Sequence, residues 1–148
     1  MLLFRGLSRC VGVGQHSWRA PHFVDVVEQA IRLSPRDPGI GTFYYLIGTI
    51  HLLQSHTDEA IIWLEKARGA TPGLSDPYAA LASAYALLGE TERAAAELAG
   101  ARRLRGEGSY SSIARLKTEF SGGAVPKIHA LREATYLAGL RKAGVPEE

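Results

Sequence analysis

The sequence predicts an all-α chain built from stacked helical hairpins. Three observations carry that expectation. Apolar residues make up 46% of the 148 positions and aromatics only 8%. Ala and Leu dominate, and both enter helices at little entropic cost, whereas the β-branched residues that favour strands are scarce. Apolar side chains also recur every three to four residues, the spacing of one face of a helix. Finally, a 34-residue segment is followed without a gap by a second copy of its own pattern, the mark of a repeat architecture.

The repeat is read from Tyr44-x-x-Ile47-Gly48-x-x-His51, which aligns with Tyr78-x-x-Leu81-Ala82-x-x-Tyr85. At the same offset Ser55 meets Gly89, Ala60 meets Ala94, Leu64 meets Leu98 and Ala67 meets Ala101. Each position has a physical purpose. Gly48 and Ala82 are small, so a second helix approaches closely, and Ala60 and Ala94 do the same from that helix. Leu64 and Leu98 fill the space between neighbouring hairpins. Pro72 ends the first unit, because proline cannot continue a helix, and Gly106 stands at the matching place as an alternative stop. The units span residues 41–74 and 75–108. Helices are predicted at 21–34, 39–54, 58–70, 75–88, 91–104, 109–118 and 126–143. Asp58 and Thr91 (or Glu90) open second helices, and Ser75-Asp76-Pro77 is a strong helix start. Gly106 to Ser109 and Ser121-Gly122-Gly123 read as loops.

The period and this set of large and small residues resemble the tetratricopeptide repeat. His51, where the family carries an aromatic, and Ser55, where it carries a turn glycine, mark the first unit as diverged. The resemblance implies a right-handed solenoid of helical hairpins that binds protein or peptide, has no catalytic residues and needs no cofactor. It also implies a concave groove lined by first helices. Off-core residues there are Thr42, Tyr45, Leu46, Thr49 and Leu53 in the first unit, with Asp76, Ala79, Ala80, Ser83 and Leu87 in the second. The family's clamp for a peptide carboxylate uses Lys, Asn and Arg; these positions hold Tyr, Thr, Ala and Ser. The expected ligand is an apolar helix or another part of a parent protein.

Upstream, Phe23-x-x-x-Val27-x-x-Ala30-Ile31-Arg32-Leu33-Ser34-Pro35 resembles the second helix of a further unit, so residues 21–38 are expected to form half a hairpin. The matching first helix would fall on Cys10–Gln15, which is rich in glycine and lacks the pattern. Met1 to His22 holds Arg5, Arg9 and Arg19 and no acid, a loose likeness to a transit peptide. Residues 1–20 are expected to be a disordered head.

Residues 109–148 are expected to cap the open end of the stack, with Ile128, Leu131, Thr135 and Leu140 facing one side. The ending Gly139-Leu140-Arg141-Lys142-Ala143-Gly144-Val145-Pro146-Glu147 resembles the extreme C-terminus of proteobacterial multidomain proteins. Those proteins join a class III adenylate or guanylate cyclase domain, or a winged-helix regulator, to a tetratricopeptide region. This resemblance covers about residues 24–148 and none of the catalytic part. It implies a detached regulatory tail.

Charge and composition exclude other classes. The net charge is +2, spread as five basic and three acidic residues over 1–40, two and three over 41–74, four and five over 75–108, and six and four over 109–148. A nucleic-acid reader would show a stronger basic stripe. The single cysteine, Cys10, rules out an internal disulfide and a cysteine-based zinc site, and fits a reducing, cytoplasmic compartment. No run is long enough to span a membrane.

His51 and His56 are five apart and match no zinc spacing, so no metal site is expected. Ser55-His56-Thr57-Asp58 names a triad, but neighbours in one turn do not converge as a triad must. Gly12-x-Gly14 is too short for a phosphate loop. Arg102, Arg103 and Arg105 suit a helix C-terminus, and Trp63 is expected to pack between hairpins. A stack this short leaves an apolar N-terminal edge through which the chain is expected to self-associate.

Overall fold

A computed structural model describes residues 20–120 and 125–148, with side chains described from His22 onward. The expected head, the pattern at Cys10–Gln15, Gly12-x-Gly14 and Trp18 lie outside the described residues, as does the loop at Ser121-Gly122-Gly123. Among the described residues every regular element is helical and none is a strand.

Helix α1 (Ala20–Leu33) buries Val24 and Val27, three apart on one face. It packs on α2 (Ile40–Leu53) through a small cluster of those valines and Ile47, flanked by Phe43, Ile50 and Trp63. A fully buried valine is worth roughly 1.5–3 kcal/mol, so α1 is held by little. The link between them is fixed by Asp37, whose carboxylate accepts the Gly39 N–H at 2.6 Å.

Helix α2 and α3 (Thr57–Ala70) form the first hairpin, and α4 (Asp76–Leu87) and α5 (Thr91–Arg105) the second. Each buries the stripe its sequence prescribes. In α3 this is Ala60, Leu64 and Ala67; in α5 it is Ala94, Leu98, Gly100 and Ala101. The small residues set the spacing. A Cβ on Gly48 would stand 2.6 Å from Leu64 Cγ, so α2 and α3 approach as closely as a glycine permits. A Cβ on Gly100 would stand 2.9 Å from the Tyr78 ring, so that ring approaches α5 as closely as a glycine permits. The hairpins join through the α3–α4 contact, through an ion pair between Arg68 and Glu97, and through the Tyr85 hydroxyl, which donates to Glu65. Trp63 is half-buried, 5.9 Å from the Tyr44 ring and with the Lys66 ammonium 4.5 Å from its centroid. It packs within its own hairpin and against the cluster of Val24, Val27 and Ile47.

Helix α4 is enclosed on every side: Pro77 and each residue from Ala79 to Ala86 are buried. An alanine-rich helix apolar all round is suited to a central position. α3 and α5 cover two of its flanks. The third is covered by the tail, in which α7 (Pro126–Arg132), a wide π turn (Glu133–Leu137) and α8 (Ala138–Lys142) run end to end.

The wide turn has a readable cause. Ile128, Leu131 and Thr135 follow helical spacing, but Leu140 lies five residues beyond Thr135. One extra residue in the turn brings Leu140, fully buried, onto the packed side with Thr135 and Leu137.

Helix α6 (Ile113–Phe120) begins later than the sequence predicts. Two features move it. Tyr110 takes a left-handed backbone (φ 57°) and buries its ring, which interrupts the helix path. The first free N–H groups, of Ile113 and Ala114, then donate to the carbonyls of Pro146 and Glu147 at 2.8 and 3.0 Å. The start is capped by the far end of the chain, a partner that local sequence does not announce.

The close approach at Gly48 gives a prediction of opposite signs. Gly48→Ala loses about 1–3 kcal/mol, because its Cβ would meet Leu64 Cγ at 2.6 Å and the Leu64 backbone N at 3.2 Å, and Leu64 is fully buried. Gly69→Ala, with nothing within 4 Å of its Cβ, gains about 0.5–1 kcal/mol from helix propensity. Urea midpoints of the two variants check both.

Candidate functional site

The residues assigned to a groove come from α2 and α4, and these helices do lie side by side. Their face is mostly covered by the chain's own tail. Ala79, Ala80 and Ser83 are fully buried, so they do not line an open surface. The Ser83 hydroxyl donates to the Tyr136 carbonyl at 2.8 Å. A Cβ on Gly139 would lie 2.1 Å from Ser83 Oγ and 2.4 Å from its carbonyl oxygen, so α8 sits backbone to backbone on α4. Tyr45, Thr49, Leu53, Asp76 and Leu87 are half-buried. Thr42 and Leu46 remain exposed, the latter at 36%. Tyr110, Ile113, Leu116, Leu137, Leu140 and Val145 share one core with Ala79 and Ala82 of α4 and with Leu98 and Ala101 of α5, so residues 109–148 cover the last hairpin. The tail lies along α4 and touches α2 through the wide turn, because Gly139 and the small residues of α4 let two backbones approach there.

Three tyrosines lie beneath this cover. Burial pushes the Tyr45 hydroxyl up to about 12, helped by the nearby Asp76 carboxylate. Burial also carries Tyr136 well above its ordinary value, with Tyr45 and Tyr110 close by. The Tyr110 hydroxyl reaches Ser75 Oγ at 3.4 Å and Asp76 Oδ1 at 3.5 Å. On the solvent side, Glu133 links the tail to α6. It meets Arg141 at 2.6 Å and Lys117 at 3.2 Å. Burial opposes its charge, but hydrogen bonds from Arg141 and Lys117 outweigh that and hold it below the usual carboxylate range. Arg141 also pairs with Glu147. The Arg132 guanidinium lies 4.4 Å from the Phe120 centroid, and Phe120 meets Tyr136 edge-on at 5.9 Å.

The other motifs resolve plainly. Ser55, at φ 63°, is the turn between α2 and α3. Arg102 donates to the Tyr110 carbonyl at 3.1 Å, and Arg105 meets Glu119 at 3.3 Å, so two of the three arginines there are engaged internally. One convergence has no motif in the sequence. His51 Nδ1, His56 Nδ1 and a Glu59 oxygen lie within 4.8 Å of one another. Burial lowers the His51 pKa, against the opposing pull of the Glu59 carboxylate. The signal was the turn: a left-handed residue at Ser55 reverses the chain and brings residues five and eight apart together.

Two predictions follow from this packing. Gly139→Ala prises α8 from α4, at a cost of about 1–3 kcal/mol, and hydrogen exchange speeds up across 126–148 before it does in α2 or α3. The second concerns alkaline pH. A phenol whose pKa is raised on folding stabilises the fold below the unfolded value near 10, and that stability is lost as pH rises through the folded value. These phenols therefore add no pH dependence below about pH 9, and their contribution falls between roughly pH 10 and 12, with Tyr45 accounting for up to about 2–3 kcal/mol. Unfolding midpoints against pH check this, and Tyr45→Phe flattens part of the fall.

No protein-family model, no curated protein and no solved structure matches this chain.

Proposed function

We propose that the chain is a non-catalytic interaction module of tetratricopeptide type, a right-handed hairpin solenoid whose first-helix face takes a protein or peptide helix. The carrying observation is that the two hairpins repeat each other's internal contacts at the sequence offset. Ser55 and Gly89 both turn through positive φ, at 63° and 82°. His56 N–H donates to the His51 carbonyl at 2.8 Å, and Glu90 N–H to that of Tyr85 at 2.9 Å. Ala60, Leu64 and Ala67 are buried, and so are Ala94, Leu98 and Ala101.

The tail indicates the kind of ligand such a face accepts. It is a helix that docks through a small residue, Gly139, and one buried leucine, Leu140. The part of the face left to a partner is the α2 side, at Thr42 and Leu46. The exposed Phe23, Val26 and Leu33 of α1 offer a second apolar edge, suited to another copy of the chain. Neither a polyanion nor a membrane is the favoured partner. The charge is nearly balanced, and no described helix is long and apolar enough to cross a bilayer.

The test is a cross-linking pull-down with the intact chain, Leu46→Asp, and Ile62→Asp as an exposed control on α3. The expected result is loss of the bound protein with Leu46→Asp and retention with Ile62→Asp. Equal recovery by all three removes the assignment of this face.

A second reading rests on Gly139–Glu147, the motif shared in kind with the tails of cyclase or winged-helix signalling proteins. In that reading the module is a regulatory region whose natural partner is a cyclase or regulator domain. It expects such a reading frame in the DNA upstream of Met1, and an unrelated neighbourhood counts against it.

A further inference from the structure

The joint of the first hairpin holds a group of side chains that differs in kind from its copy in the second. In the second hairpin the residues at the joint are Tyr85, Glu90 and Arg93. The Arg93 guanidinium meets Glu90 at 3.0 Å and lies 4.7 Å from the Tyr85 centroid. A cation thus sits between a carboxylate and a ring, and the group is closed by its own charges. At the same offset the first hairpin has His51, His56 and Glu59. Here the residue one turn into the second helix is a carboxylate, and it faces two imidazoles.

Two of the three donor separations suit a small ion, and all three lie within 4.8 Å. Glu59 Oε2 is 3.2 Å from His51 Nδ1 and 3.6 Å from His56 Nδ1. In a tetrahedral site with bonds of about 2.0–2.1 Å, neighbouring donor atoms stand about 3.3–3.4 Å apart. His51 Nδ1 is buried and makes no hydrogen bond, although it faces the carboxylate. The two rings are tilted at 5.9 Å between centroids, so they do not stack and their nitrogens face the same oxygen. The hydrogen bond from His56 N–H to the His51 carbonyl, at 2.8 Å, fixes the backbone that presents both rings. Hard cations such as Mg²⁺ prefer all-oxygen shells, whereas imidazole with carboxylate suits Zn²⁺ and its neighbours.

We propose that His51, His56 and Glu59 form a binding site for one divalent transition-metal cation of the zinc type, clamping α2 to α3 at their joint. Three protein donors leave a fourth position for water or for a donor from a partner.

Titration of the full chain with zinc chloride, by calorimetry and by competition with a chromophoric chelator, tests this. His56 and Glu59 side chains are 57% and 60% exposed, so His56→Gln and Glu59→Gln leave the metal-free chain folded, with its melting temperature lowered by no more than a few degrees. Glu59→Arg copies the second hairpin and places a cation where the ion would lie. The expected result is a zinc site in the intact chain that is absent for magnesium and raises the melting temperature. Affinity falls at least about tenfold in His56→Gln and Glu59→Gln and is lost in Glu59→Arg, while His129→Gln binds as the intact chain does. Absence of zinc binding up to millimolar concentration overturns the proposal, and so does equal affinity in the intact chain and the three joint variants.

Discussion

Helix α4 cannot stand at a surface. Between Ala79 and Ala86 it offers alanines, Leu81, Ser83 and Tyr85, and water reaches almost none of them. A short alanine helix gains little from any single neighbour, because each methyl buries little area. Its stability depends on being surrounded. Two flanks come from its own hairpin partner and from the hairpin before it. The remaining flank comes from a segment more than fifty residues away, which is admitted only because Gly139 has no side chain to meet Ser83. The π turn, the Ser83–Tyr136 hydrogen bond and the capping of α6 by Pro146 and Glu147 all depend on that docking.

The two hairpins share a backbone and differ in what it carries. Tyr78 lies over Gly100 in the second, whereas Tyr44 meets Trp63, with Lys66 beside it, in the first. The contrast repeats at the joints, with Tyr85 and Arg93 in one and His51 and Glu59 in the other. Interior positions have stayed alike because the helix spacing permits few alternatives. At the joints the difference is greatest where solvent reaches, at Glu59 and Arg93, while Tyr85 is buried and His51 half-buried.

Electrostatics act at the edges of this packing. Arg68–Glu97 spans the two hairpins, and Glu133 gathers Arg141 and Lys117 where the tail leaves α4. Solvent-reached pairs of this kind contribute about 1 kcal/mol or less each. They set orientation more than stability. The tyrosines beneath the tail act in the other direction, since they stay neutral in the fold and tie its stability to the phenol form.

The helices were legible in the sequence. The starts and ends of α1 to α5 follow from apolar spacing, from Pro77 and from Gly106, and these are local signals. The buried stripe of Ala60, Leu64 and Ala67 and that of Ala94, Leu98 and Ala101 are likewise written in the period. The groove residues on α2 and α4 are what the family resemblance implies, and no local signal says whether that face is open. The covering depends on a contact between Ser83 and Gly139, residues far apart in sequence, and no local pattern records which helix a small residue admits. The start of α6 moved for the same reason, as its cap comes from Pro146 and Glu147. The meeting of His51, His56 and Glu59 came from one left-handed residue, Ser55, whose backbone angle is set by the packing of two helices. Sequence by itself determined what is periodic and local, because helix formation samples only neighbours within four residues. The tertiary structure alone decided which faces stay exposed and which side chains converge, because those depend on contacts that close only when the whole chain is packed.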